Sequence, residues 1–157
     1  MEVITLQDIL QSLKNRAVDG EVRIDVNKQP FEEIGLTVRA NKDALISVIQ
    51  NLIDNAVAAG GQMIQVDTKV ERSVAKISIS DNGPGIDADV QDQIFEPFFS
   101  TKPQGNGLGL AIARSVCRAH SGDLVLETEC DEGACFSLIL PLIEKDYREA
   151  FELKQAF

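Results

Sequence analysis

A chain of 157 residues, 44% apolar and 25% charged, is long enough to bury a core and too apolar to stay disordered. Its 25 acidic against 15 basic residues leave a net charge of −10, which repels nucleic acid and anionic membrane and sets both aside as partners. No apolar run approaches the roughly 20 residues that span a bilayer, and no secretory leader opens the chain. The three cysteines, Cys117, Cys130 and Cys135, are odd in number and lack metal spacing, so a reducing, cytoplasmic setting is expected. On so acidic a surface, any anion site has to carry its own local positive potential.

With no internal repeat, low-complexity tract or linker, residues 1–157 read as one domain. Over residues 5–17, Leu6, Ile9, Leu10 and Leu13 recur at helical spacing, and residues 1–20 are expected to be a lead-in helix. Residues 21–26 and 36–40 read as short strands. Asn41 is a fair N-cap for a helix over 42–59, in which Leu45, Val48, Ile49, Leu52, Ile53 and Ala56 form one apolar stripe, stopped by Gly60 and Gly61. Residues 63–70 and 74–80 alternate as strands, with Ile77 and Ile79 opposed to Lys76, Ser78 and Ser80.

From 81 to 106 regularity loosens around glycines, prolines and a short helical stretch at 90–95. Helical spacing returns at Leu108, Ala111, Ile112, Ser115, Val116 and Ala119, closed by Gly122. Residues 124–130 and 135–140 then pair as a hairpin ended by Pro141. The tail, 142–157, is helical in pattern and leaves Phe151, Leu153 and Phe157 with little to bury them. Interspersed helices and hairpin-paired strands predict an α/β (α+β) two-layer sandwich, a mixed, mostly antiparallel sheet with helices on one face.

Four segments carry chemistry. Asn51 and Asn55, four apart, project from one side of their helix beside its apolar stripe. Two neutral amide oxygens there suit a hard cation that keeps waters and phosphate ligands, although such a pair alone is more often structural. Asp81-Asn82-Gly83-Pro84-Gly85-Ile86 follows an alternating strand. A carboxylate at that strand end accepts from an exocyclic amine, and Gly83 and Gly85 leave room for a flat ring; the plain alternative is an Asp-Asn-Gly turn. Gly105-Asn106-Gly107-Leu108-Gly109-Leu110 opens directly into a helix, where bare amides attract an anion. Between these lies Phe95-Glu96-Pro97-Phe98-Phe99-Ser100-Thr101-Lys102, which holds three of the chain's seven phenylalanines and a lysine to offset the acidic surface.

Taken in order, Asn-x-x-x-Asn, Asp-x-Gly-x-Gly, Phe-x-Pro-Phe and Gly-x-Gly-Leu-Gly resemble the N, G1, F and G2 boxes of sensor histidine kinases, from Leu45 to Pro141. The resemblance implies a Bergerat ATP-binding fold with a mobile lid over 82–106. It implies that Asp81 binds the adenine amino group between Gly83, Gly85 and Ile86, and that Asn55 ligates Mg²⁺ with Asn51 supporting metal or phosphate. It also implies that Gly105, Gly107, Leu108, Gly109 and Leu110 close on the phosphates and that Phe95, Phe99, Thr101 and Lys102 belong to the lid, Lys102 beside Asn51 and Asn55 in the catalytic set. Residues 132–136, Glu-Gly-Ala-Cys-Phe, resemble a weaker third glycine motif near the base.

Val57, Ala58 and Ala59 stand where many family members carry a basic residue, so Lys102 or Arg114 is expected to meet the phosphate charge. The Phe-Phe-Ser-Thr-Lys run looks most like nitrogen-regulation and flagellar kinases, which pair with sigma-54 activators; a response regulator of that kind is the implied downstream partner. No His-Glu/Asp-x-x-Asn/Thr-Pro segment is present, so the acceptor histidine is expected on a separate dimerisation domain of the same kinase. The only histidine, His120, reads as a partly exposed helix-end residue. Three rivals remain: a Bergerat hydrolase, which would need a glutamate near Asn51 where Gln50 and Leu52 stand; an anti-sigma-factor serine kinase, a group that usually lacks the phenylalanine segment present here; and a nucleotide-binding module without catalysis.

Overall fold

The computed structural model describes residues 1–14, 23–26, 35–100, 107–128 and 132–143. In chain order they form β1 (Glu2–Thr5), α1 (Leu6–Lys14), β2 (Arg23–Val26), β3 (Thr37–Ala40), α2 (Lys42–Ala58), β4 (Met63–Glu71), β5 (Val74–Asp81), α3 (Gly109–Ala119), β6 (Asp123–Glu127) and β7 (Cys135–Pro141). Five strands make one sheet in the order β2-β4-β5-β7-β6, with β2 parallel to β4 and the other neighbours antiparallel. β1 and β3 form a separate antiparallel pair, from Glu2 opposite Ala40 to Thr5 opposite Thr37.

Strand alternation decides which sheet face is covered. Val66 lies opposite Ile79 and Thr68 opposite Ile77, and all four are buried with Ile64 and Ala75 on the helix side. α2 presses Leu45, Val48, Ile49, Leu52, Ile53 and Ala56 into the same core, which α1 extends with Ile9, Leu10 and Leu13. The helices therefore cover one face, as the apolar periodicity implies. Thr68 is the exception inside: its Oγ1 is buried without a hydrogen-bond partner among the described residues. On the opposite face Ser78 and Ser137 hydroxyls meet at 2.9 Å. Lys76 lies opposite Ile139 and Glu127 opposite Cys135, so the Lys76–Glu127 ion pair spans β7 diagonally over the fully buried Ser137.

The lead-in helix expected over 1–20 begins only at Leu6, where its apolar periodicity begins. Residues 2–5 are the strand β1, and the chain turns at Thr5, whose Oγ1 accepts the Asp8 N–H at 3.0 Å, a capping arrangement that opens α1 at Leu6. Residues 15–20, like the tail beyond 143, lie outside the described residues. The helical stretch expected at 90–95 is instead a succession of turns, Val90 bonding Asp87, Gln93 bonding Val90 and Glu96 bonding Gln93. The hairpin comes out as β6 and β7, with Cys130 outside the described residues.

Both long helices end in glycine-dependent geometry. Gly60 takes φ +100° after α2, donating to Val57 O while Gly61 donates to Ala56 O. After α3, Ser121 takes φ +62°, and a Cβ on Gly122 would stand 1.8 Å from Ile139 O. His120 is not partly exposed as its helix-end position suggests. It is 6% exposed, its Nε2 accepts the Asn41 N–H at 3.0 Å and its Nδ1 lies 2.7 Å from Val116 O. That pairing makes the ring neutral with the proton on Nδ1, and it ties the end of α3 to the N-cap of α2. Asn41 itself caps α2 through Oδ1, which accepts the Ala44 N–H at 3.1 Å.

Candidate functional site

At the end of β5, Asp81 is held by two segments remote in sequence. Its Oδ1 accepts the Gly83 N–H at 2.8 Å and the Ala134 N–H at 3.3 Å, while its own N–H donates to Ala134 O at 3.0 Å. No described residue donates to Oδ2, which leaves one carboxylate oxygen for a ligand amine. Gly133, at φ +67°, packs so tightly that a Cβ there would lie 2.1 Å from Asp81 O. Gly85, at φ +78°, in turn backs onto Gly133 O, and Ile86 packs half-buried against the core. Asn82, the turn residue, is structural: its Oδ1 accepts from the backbone N–H groups of Gln62 and Met63 at 2.9 and 3.0 Å. The third glycine motif thus does lie against Asp81.

Asn51 and Asn55 lie on adjoining turns of α2, both half-buried, and Gly61 just past that helix reaches the Asp81 side chain. Against Asn51 stands the start of α3. A Cβ on Gly109 would lie 3.0 Å from Asn51 Oδ1 and 3.2 Å from Nδ2, so the helices approach this closely because the residue is glycine. Leu108 is the N-cap of α3 without a side-chain capping bond, and the first turn contains no acidic residue. Its first-turn N–H groups have no partner within the helix and carry the positive end of its dipole. Asn51 Nδ2 is buried beside them without a hydrogen-bond partner among the described residues. Leu110 packs half-buried behind this turn, and Gly107, at φ +72°, accepts the Phe98 N–H at 3.0 Å. A buried donor with no partner among the described residues, at a helix start whose N-cap residue has no side-chain capping bond and with Asn55 one turn on, fits a metal-bound polyphosphate.

The phenylalanine segment divides. Phe95 and Phe99 pack against the core, whereas Phe98, at φ +69°, is 78% exposed. Phe95 meets Phe136 edge to face, with centroids 6.2 Å apart and planes at 88°. Arg114, one of the cations expected to reach the phosphates, is turned elsewhere. Its guanidinium lies 4.7 Å above the Phe95 ring and its Nε bonds Asp123 Oδ1 at 3.1 Å, an oxygen shared with Arg118 at 3.2 Å. Burial pushes the Asp123 carboxyl up, but the hydrogen bonds from Arg114 and Leu124 and the two guanidinium charges outweigh it and hold it below its ordinary value. Thr101, Lys102 and Gly105 lie outside the described residues.

These features define a class. The sequence profile of the "Histidine kinase-, DNA gyrase B-, and HSP90-like ATPase" family matches residues 40–144, and the chain belongs to that family. Within it, the chain is 38% identical over 125 residues to the signal transduction histidine-protein kinase AtoS of Escherichia coli, covering 78% of this chain and 20% of AtoS. It is 41% identical over 114 residues to the sensor protein kinase FleS of Pseudomonas aeruginosa, covering 71% of this chain and 28% of FleS. Among solved structures it superposes on the catalytic domain of the histidine kinase ThkA with TM-score 0.72 and 26% identity, over 90% of this chain and 96% of that one. The chain therefore spans between a fifth and a third of the two curated relatives and nearly all of the solved catalytic domain.

Proposed function

We propose that this chain binds Mg-ATP in the cleft between α2, the end of β5 and the start of α3, and donates the γ-phosphate to a histidine on a separate dimerisation domain. The observation that carries the proposal is Asn51 Nδ2, buried against Gly109 at the start of α3 without a hydrogen-bond partner among the described residues. A buried donor without an acceptor costs about 1–3 kcal/mol, and a phosphate oxygen there removes that cost. Asp81 Oδ2 accepts the adenine amino group while Gly83 and Ala134 fix the carboxylate. Gly85 and Ile86 flank the ring, and Asn55 and Asn51 turn their amides to metal and phosphate. Leu108, Gly109 and Leu110 present backbone N–H groups to the phosphates, with Lys102 and Thr101 completing the set. The lid of 82–106 covers the bound nucleotide, with Phe95 and Phe99 at its base. Magnesium, when bound, supplies charge neutralisation on the transferring phosphoryl group.

Two features favour transfer over hydrolysis. Asp54, the carboxylate nearest in sequence to the two asparagines, is exposed and accepts from Gln50 Nε2 at 2.9 Å, so it does not serve as a base for water. His120 has both ring nitrogens engaged and is buried, which fits an acceptor histidine elsewhere. In a cytoplasmic kinase of this kind the phosphate passes on to a response regulator, and likeness to nitrogen-regulation and flagellar kinases favours a sigma-54 activator. The test is transfer from γ-labelled ATP to a separately supplied dimerisation domain. Label on that histidine, lost with Asn55→Ala and kept with His120→Ala, is the expected result. Label on His120, or transfer that survives Asn55→Ala, would refute the proposal.

A further inference from the structure

Phe95 is where the two ends of the site meet. One contact leads to the base end: its ring packs edge to face on Phe136, two residues beyond Ala134, whose N–H and C=O both bond Asp81. The other leads to the phosphate end. Three residues on, Phe98 N–H bonds Gly107 O, and Gly107 precedes the Leu108–Gly109 turn that faces Asn51. Arg114 comes from α3 and lays its guanidinium on the Phe95 ring. That side chain is itself oriented by Asp123 at the start of β6, through the Nε to Oδ1 bond of 3.1 Å. Arg114 therefore touches the helix whose N-terminus faces the cleft, the sheet edge beyond β7 and the phenylalanine segment at once.

We propose that Arg114 is a positioning residue for nucleotide binding: fixed by Asp123, it holds Phe95 against Phe136 and so keeps the base end and the phosphate end of the cleft in one arrangement. The inference rests on the reading of the cleft as an Mg-ATP site. Arg114 need not touch nucleotide; its charge acts through the ring. A cation over a partly exposed aromatic face contributes a modest amount, equivalent to about a two- to fivefold change in the ratio of arranged to unarranged states. Nucleotide affinity scales with the fraction that is competent, so it falls by up to that factor.

The experiment is a calorimetric titration of the full 157-residue chain with Mg-ADP, made on wild type, Arg114→Met, Phe95→Leu, the double variant and Arg114→Lys, with thermal melts of each. Expected are losses of affinity of up to about two- to fivefold for Arg114→Met and for Phe95→Leu, no further loss in the double variant, and a smaller loss for Arg114→Lys, which keeps a cation near the ring. Asp123→Asn, which frees the guanidinium without removing it, should show part of the Arg114→Met loss. Losses that multiply in the double variant, or melting changes with unaltered affinity, would overturn the role of Arg114 while leaving the nucleotide site standing. A wild-type chain that takes up no Mg-ADP would overturn both.

Discussion

Gly133→Ala tests how the base end is built. At φ +67° an alanine is forced into the left-handed region at about 1–2 kcal/mol. Its Cβ would also stand 2.1 Å from Asp81 O and 2.5 Å from Oδ1, distances no side chain tolerates, so residues 133 and 134 must retreat. Retreat breaks the Asp81 N–H to Ala134 O bond and the Ala134 N–H to Asp81 carboxylate bond, worth about 0.5–1.5 and 1.5–3 kcal/mol. The combined loss is about 3–6 kcal/mol, a large share of the roughly 5–15 kcal/mol that holds such a domain. Gly60→Ala is the control, because Gly60 has a positive φ of +100° with nothing within 4 Å of its Cβ position, leaving only the backbone cost. Urea unfolding of both variants, with Mg-ADP affinity measured alongside, separates the contributions. If Gly133→Ala loses no more stability than Gly60→Ala and binds ADP as wild type does, the packing against Asp81 is not what positions the carboxylate.

Thr68→Val should raise stability by about 1 kcal/mol, since it removes a buried hydroxyl that has no partner among the described residues and keeps the shape; a loss of that size in urea melts would contradict this. His120→Ala should cost about 2–3 kcal/mol by stranding the Asn41 N–H, yet leave phosphotransfer measured well below the melting temperature unchanged. Stability should also fall in acid. The Lys76 hydrogen bond holds the Glu127 carboxyl below its ordinary value, and Asp123 is likewise net lowered despite its burial. Both contribute fully above the unfolded carboxylate pKa of about 4 and lose that contribution as pH drops through their folded values. Glu127→Gln should remove about 0.5–1 kcal/mol of stability at pH 7 and flatten the decline below about pH 5; an unchanged slope would show that the ion pair is immaterial.

The parts of the molecule that sequence revealed are those tied to element boundaries. Asn51 and Asn55 stand beside a clean apolar stripe, Asp81 closes an alternating strand, and Gly109 opens a helix, so their positions are readable from the local pattern. β1 was absorbed into the helix that follows because Leu6, Ile9, Leu10 and Leu13 dominate the periodicity; the Thr5–Asp8 capping pair was the signal of its true start. Val90, Ile94 and Phe95 have helical spacing, yet only successive four-residue turns form there. Contacts between distant segments were out of reach. His120 is buried because it meets Asn41, 79 residues away, and Asn82 braces Gln62, 20 residues away. Arg114 shows the same limit, since nothing local says whether a guanidinium seeks phosphate or the ring of Phe95.

The most direct test of the nucleotide site is the amide spectrum of ¹⁵N-labelled chain as Mg-ADP is added. The account predicts that the largest shifts fall on Gly83, Gly85 and Ala134 at the base end, on Gly107, Gly109 and Leu110 at the start of α3, and on the side-chain amides of Asn51 and Asn55, saturating together with one dissociation constant. Shifts confined to the open sheet face around Gln65, Ser78 and Ser137, or no shifts at saturating nucleotide, would contradict it.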